Sequence, residues 1–109
     1  MSIIKVDYGE VGGGTAPSNF KILGRVRSNN YGVVVPVANL TNVNSITLTH
    51  FVWGSNTSTI VGLNDDDTYT QLTSTSSTAS QIVTLDVSSY NRIGWITSGE
   101  AYIDSIVTN

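Results

Sequence analysis

Ser45-Ile46-Thr47-Leu48-Thr49-His50-Phe51-Val52-Trp53 is the stretch whose pattern decides the fold. In an extended chain, side chains alternate between two faces. Ile46, Leu48, His50 and Val52 then share one face, and Thr47, Thr49, Phe51 and Trp53 the other. The spacing predicts a strand with Ile46, Leu48 and Val52 turned to a core. Gln81 to Val87 repeats the pattern, with Val83, Leu85 and Val87 on the core side. No window places apolar residues at helical spacing between caps. Branched Val, Ile and Thr dominate, which favours the pleated sheet.

Reading outward from these two strands, turn signals cut the chain into short extended pieces. Strands are predicted over Phe20 to Arg27, Tyr31 to Val37, Thr59 to Leu63 and Thr68 to Leu72. Pro36 puts its strand at an edge or a bulge, because proline has no N–H for a ladder. Thr73 to Ser80 reads as a Ser/Thr-rich loop. Arg92 to Thr97 and Ala101 to Val107 read as a closing hairpin through Ser98-Gly99-Glu100. About eight strands at roughly ten-residue spacing predict an all-β, antiparallel sandwich, with long polar connections favouring a jelly roll.

The N-terminal portion reads differently. Ile3 to Tyr8 is a short strand candidate, followed by Gly9-Glu10-Val11-Gly12-Gly13-Gly14-Thr15-Ala16-Pro17-Ser18. Three successive glycines before a proline are costly to order, so this run is expected to be a tether. The domain reading is residues 1–18 as strand and tether, and 19–109 as the sandwich.

Composition narrows the function. The chain has 109 residues, no cysteine, 12% charged residues and a formal net charge of −3. One domain of this length buries a core without staples. Disulfides and thiolate metal sites are excluded. Five basic residues on a net-acidic chain make a poor footprint for a phosphate backbone, so no nucleic-acid partner is expected. No apolar run approaches the roughly 18 residues of a membrane span, and Lys5 and Asp7 interrupt any signal-like opening. Membrane insertion and export through an ordinary secretory signal are therefore not expected.

The chain offers few reactive groups. There is one histidine, His50, and no nucleophile elbow around Ser55 or Ser98. His50 is expected to be a half-buried or edge histidine with one hydrogen-bond partner. Asp65, Asp66 and Asp67 are the metal candidates, since oxygen ligands on a loop suit calcium. Their spacing departs from a calcium-loop pattern, and Asp and Asn also favour turns by bonding their own backbone, so a solvated turn is the reading. No cofactor is expected. Gly12-Gly13-Gly14 lacks the Lys-Ser/Thr and the helix of a phosphate cradle. Trp53, Tyr69 and Tyr90 are the candidate ligand-contacting aromatics, with Tyr31 and Tyr102 candidates for the same surface. Trp95, between Gly94 and Ile96, is expected inside.

The opening Ile3-Ile4-Lys5-Val6-Asp7-Tyr8-Gly9-Glu10-Val11-Gly12-Gly13-Gly14 resembles the N-terminus of small virion-associated β-rich proteins of tailed bacteriophages. Val83 to Ile96 is similar to the closing strands of jelly-roll domains in phage tail and carbohydrate-binding proteins. The resemblance implies a non-enzymatic structural or adhesive virion protein, either decorating a capsid or displayed on a tail. It further implies synthesis in the host cytoplasm and release by lysis. Ile3, Ile4, Val6 and Tyr8 would form the docking arm, pairing with the body's own sheet or a neighbouring subunit. The partners would be other virion proteins, further copies of the chain, and a host-surface glycan. A carbohydrate-binding module recognising glycans through exposed aromatics is the alternative. A small hydrolase built on the acidic turn is a third, with no constellation behind it.

Overall fold

The computed structural model describes Ser2–Ile3, Lys5–Val6, Gly9–Val11, Lys21–Ile22, Val26–Ser28, and residues 31–40 and 42–108. Branched and Thr-rich segments produce strands throughout, and no helix occurs among the described residues. The strands are β1 (Ser2–Ile3), β2 (Lys5–Val6), β3 (Gly9–Val11), β4 (Lys21–Ile22), β5 (Val26–Ser28) and β6 (Val35–Asn39). They continue as β7 (Ser45–Val52), β8 (Ser58–Leu63), β9 (Tyr69–Thr75), β10 (Gln81–Asp86), β11 (Arg92–Thr97) and β12 (Ala101–Thr108).

The strands assemble as an antiparallel sandwich. One sheet runs β10-β7-β12-β5-β3, with β1 also paired to β12; the other runs β6-β11-β8-β9. From β5 onward the pairs are nested: β5 with β12, β6 with β11, β7 with β10 and β8 with β9. All four pairs are antiparallel. Parallel pairing is confined to the N-terminal portion, where β3 joins β5 and β2 joins β4.

Alternation explains the core. Ile46, Leu48, His50 and Val52 of β7 are all buried, as are Ile60 of β8, Ile93 and Trp95 of β11, and Ile103 and Ile106 of β12. On β10, Leu85 is buried and Val83 packs against the same cluster, with Val87 sealing it just beyond the strand. Each apolar side chain of this size contributes about 1.5–3 kcal/mol when removed from water. Pro36 lies on β6, an edge strand, where a register shift makes Val37 an extra residue between Pro36 and Ala38. Both features expected of a strand proline thus occur together.

Three expectations need correction. β11 and β12 are not a hairpin: they lie in different sheets, and 98–100 carries the chain across the sandwich. Each is a central strand with both edges already taken, β11 between β6 and β8 and β12 between β7 and β5, which leaves neither an edge for the other. Thr73 to Thr75 belongs to β9 rather than to a loop, because Thr73, Ser74 and Thr75 pair with Ile60, Thr59 and Ser58. Gly9-Glu10-Val11 is strand rather than tether, paired with Val26, Arg27 and Ser28. The ladder hydrogen bonds of β5 offset the entropy that glycine loses there. The remaining tether, 12–18, lies outside the described residues.

Close approach explains one glycine. A Cβ on Gly62 would sit 2.6 Å from three ring carbons of Tyr90. The Tyr90 ring closes this end of the sandwich over the bare backbone. Gly62→Ala is expected to cost about 1–3 kcal/mol by overpacking, read as a lower urea midpoint with unchanged slope.

Candidate functional site

The only histidine is a core residue, not the half-buried or edge group expected. His50 alternates with Leu48 and Val52, and strand geometry carries it fully into the interior. Its Nδ1 lies 2.8 Å from Ser58 Oγ, and Trp95 Nε1 donates to the same Oγ at 2.8 Å. All three residues are 0% exposed. An indole N–H only donates, so Ser58 Oγ accepts from Trp95; the hydroxyl can either donate to His50 Nδ1 or accept from it, according to the imidazole tautomer. The other ring nitrogen, Nε2, has no hydrogen-bond partner. Burial alone pushes the His50 pKa from 6.5 down to about 4, because a low-polarity interior disfavours the charged ring. A Ser–His pair at this distance resembles half of a nucleophilic dyad. Here the hydroxyl is sealed from solvent and no carboxylate bonds the ring among the described residues, so the three groups act as a core hydrogen-bond node.

The surface candidates separate into two ends. β7 runs from Ser45 to Val52, and β9 runs back from Tyr69 to Thr75 with Tyr69 opposite Leu63. Trp53 therefore leaves one end of the sandwich, while Tyr69 and Tyr90 stand at the other. Across a strand of this length the separation is about 20 Å. A single surface holding Trp53, Tyr69 and Tyr90 does not form. Tyr69 is exposed; Tyr90 is half-buried over Gly62.

The Trp53 end is a tied cluster of loops. Gly54, at φ +68°, turns the chain back after Trp53, a conformation glycine adopts freely. Trp53 N donates to Glu100 O at 3.0 Å, Ser98 N to Thr57 O at 3.2 Å, and Thr57 N to Ser98 Oγ at 2.8 Å. Asn56 Nδ2 donates to Trp53 O. Gly32 N donates to Thr97 O at 2.6 Å and Val52 N to Ser77 O at 2.9 Å, which brings the 31–34 and 76–80 connections to the same end. Trp53 remains 66% exposed on this framework. Beside it, the Phe51 and Tyr102 rings stack with centroids 5.1 Å apart. Glu100 joins Tyr102 to Arg27, accepting from the phenol and from Arg27 Nη1 at 3.2 Å. The hydrogen bond to Glu100 holds the Tyr102 phenol above its ordinary pKa. An exposed indole can stack on an apolar ring face, and a guanidinium and a carboxylate can hydrogen-bond hydroxyls.

Two of the three carboxylates of the acidic turn are engaged by the protein's own groups. Asp66 Oδ1 accepts from Thr68 N at 3.1 Å and Thr68 Oγ1 at 2.6 Å, which holds its pKa below the usual value. Asp67, at φ +68°, pairs with Arg92 Nη2 at 2.9 Å. Asp65 is exposed. Among the described residues no three His, Asp or Glu side chains converge to hold a metal.

Of the arm residues, Ile3 lies in β1 opposite Val107, and Val6 lies in β2 opposite Ile22. Ile4 and Tyr8 lie outside the described residues. The Ser58–Trp95 partnership was invisible to sequence reasoning, although the alternation that buries His50 was a signal that the ring needed a partner. No family model, curated protein or solved structure matches this chain.

Proposed function

We propose that this chain is a non-enzymatic structural or adhesive component of a phage virion, a capsid decoration or a tail-associated display domain. The observation that carries the reading is the attachment of the phage-like N-terminal segment to the body: β1 pairs with the last strand, β12, and β3 with the first body strand, β5. We read the nested pairing of β5 to β12 as a jelly-roll winding, an architecture used by viral capsid and lectin domains; this is support by fold analogy. Ile3 and Val6, paired within their own chain, would then fix the N-terminal segment to the body that is displayed. The test is immunodetection in particles purified by density gradient from a lysate of the producing host. Recovery with particles supports the reading, and recovery only in the soluble lysate overturns it.

The exposure of Trp53 favours a second reading, a glycan-binding surface at its loop cluster. Trp53→Ala is expected to leave the urea midpoint within about 0.5 kcal/mol of the parent, as for surface changes generally. It is expected to abolish glycan-array binding. Equal binding by parent and variant excludes Trp53 as the platform.

A further inference from the structure

Sheet edges expose unpaired N–H and C=O groups, and natural sheets guard them with bulges, proline, charges or covering chain. In this sandwich β6 is guarded by Pro36 and the bulge at Val37. β9 is broken by a bulge that leaves Leu72 unpaired between Gln71 and Thr73. β10 differs. Its six residues pair with β7 in uninterrupted register, from Gln81 opposite His50 to Asp86 opposite Ser45. It carries no Pro, Gly, Lys or Arg, and no described strand pairs with its other side.

The ladder shows which groups face outward. Val87 N donates to Asn44 O at 2.9 Å, on the β7 side. Successive backbone groups alternate, so Gln81, Val83 and Leu85 bond toward β7, and Ile82, Thr84 and Asp86 direct their N–H and C=O to the free edge. Among the described residues Ile82 is also the most exposed large apolar side chain, at 74%.

We propose that β10 pairs antiparallel with β10 of a second copy of this chain, about a two-fold axis at Thr84, joining two sheets into one. In that register Thr84 faces its own counterpart and Ile82 faces Asp86 of the partner copy, each pair exchanging two hydrogen bonds. A threonine pair already bridges neighbouring strands on this face, Thr47 Oγ1 to Thr84 Oγ1 at 3.0 Å. Charge permits the pairing. Asp86 is the strand's single charge, and the two copies of it stand about 14 Å apart along the strands. That exceeds the Debye length of about 8 Å at physiological salt. The side chain of Asp86 is engaged by Ser88 N at 2.9 Å. The inference holds whether or not the chain belongs to a virion.

The test is the mass of the purified full chain by light scattering over a wide dilution series. The parent is expected to reach twice the monomer mass. Ile82→Lys places a charge on the edge. Thr84→Pro removes an outward N–H that β7 does not use. Both are expected to be monomeric with unchanged sheet circular dichroism, while Gln71→Lys on β9 stays dimeric. Because the chain has no cysteine, Thr84→Cys is expected to form a disulfide-linked dimer under mild oxidation faster than Gln71→Cys. A parent that stays monomeric, a dimer that survives Ile82→Lys, or cross-linking no faster at 84 than at 71 overturns the proposal.

Discussion

Ser58→Ala is expected to destabilise the protein by about 2–6 kcal/mol, since each of the two buried nitrogens left unpaired costs about 1–3 kcal/mol. The hydroxyl serves two partners at once, Trp95 Nε1 and His50 Nδ1, each at 2.8 Å and all without solvent access. Alanine leaves both nitrogens unpaired in an interior where, among the described residues, His50 Nε2 and Thr97 Oγ1 are already unsatisfied. Against a total stability of about 5–15 kcal/mol this is a large fraction. The comparison is the neighbouring Thr59→Ala, whose hydroxyl bonds Ser74 Oγ at 2.9 Å in solvent. That change is expected to stay within about 0.5 kcal/mol. Urea unfolding followed by tryptophan fluorescence measures both. Equal effects at 58 and 59 would show that the node contributes nothing.

Stability is also expected to fall by about 3 kcal/mol between pH 6.5 and pH 4, given about 1.4 kcal/mol for each tenfold change in proton affinity. The sign follows from His50, whose pKa drops from 6.5 to about 4 on folding. Below 6.5 the unfolded chain takes up a proton that the folded chain refuses. The stability is therefore fully present above 6.5 and is lost progressively down to about 4, where the folded ring also protonates. The lowered carboxyls of Asp66 and Asp86, held by Thr68 and Ser88 respectively, lose their contribution at lower pH, below the ordinary carboxylate value. His50→Leu, close in volume and apolar, is expected to flatten the upper part of the profile while leaving the acid limb. Urea midpoints at half-unit pH steps test this, and a parent profile flat from 6.5 to 5 would remove burial as the state of the ring.

Much of the candidate surface was legible because exposure follows from local position. Trp53 ends its strand before Gly54, and the structure leaves it in solvent; Trp95 sits in an apolar run and is buried. The bonding of the acidic turn was readable too, since Asp66 reaches only two residues ahead to Thr68. Grouping Trp53 with Tyr69 and Tyr90 failed because residue type says nothing about which end of a sandwich a turn occupies. That depends on strand direction and on how many crossings intervene.

Period-two alternation in Ser45–Val52 and Gln81–Asp86 by itself determined an all-β chain and which side chains face inward, because the pleat leaves each residue only two faces. The partners were decided by tertiary structure alone. Ser58 meets His50 and Trp95, β12 closes against β7 and β5 rather than β11, and no described strand pairs with the outer side of β10. These are pairings between segments distant in the chain. They are selected by the shared burial of two sheets, a collective energy that no single segment carries.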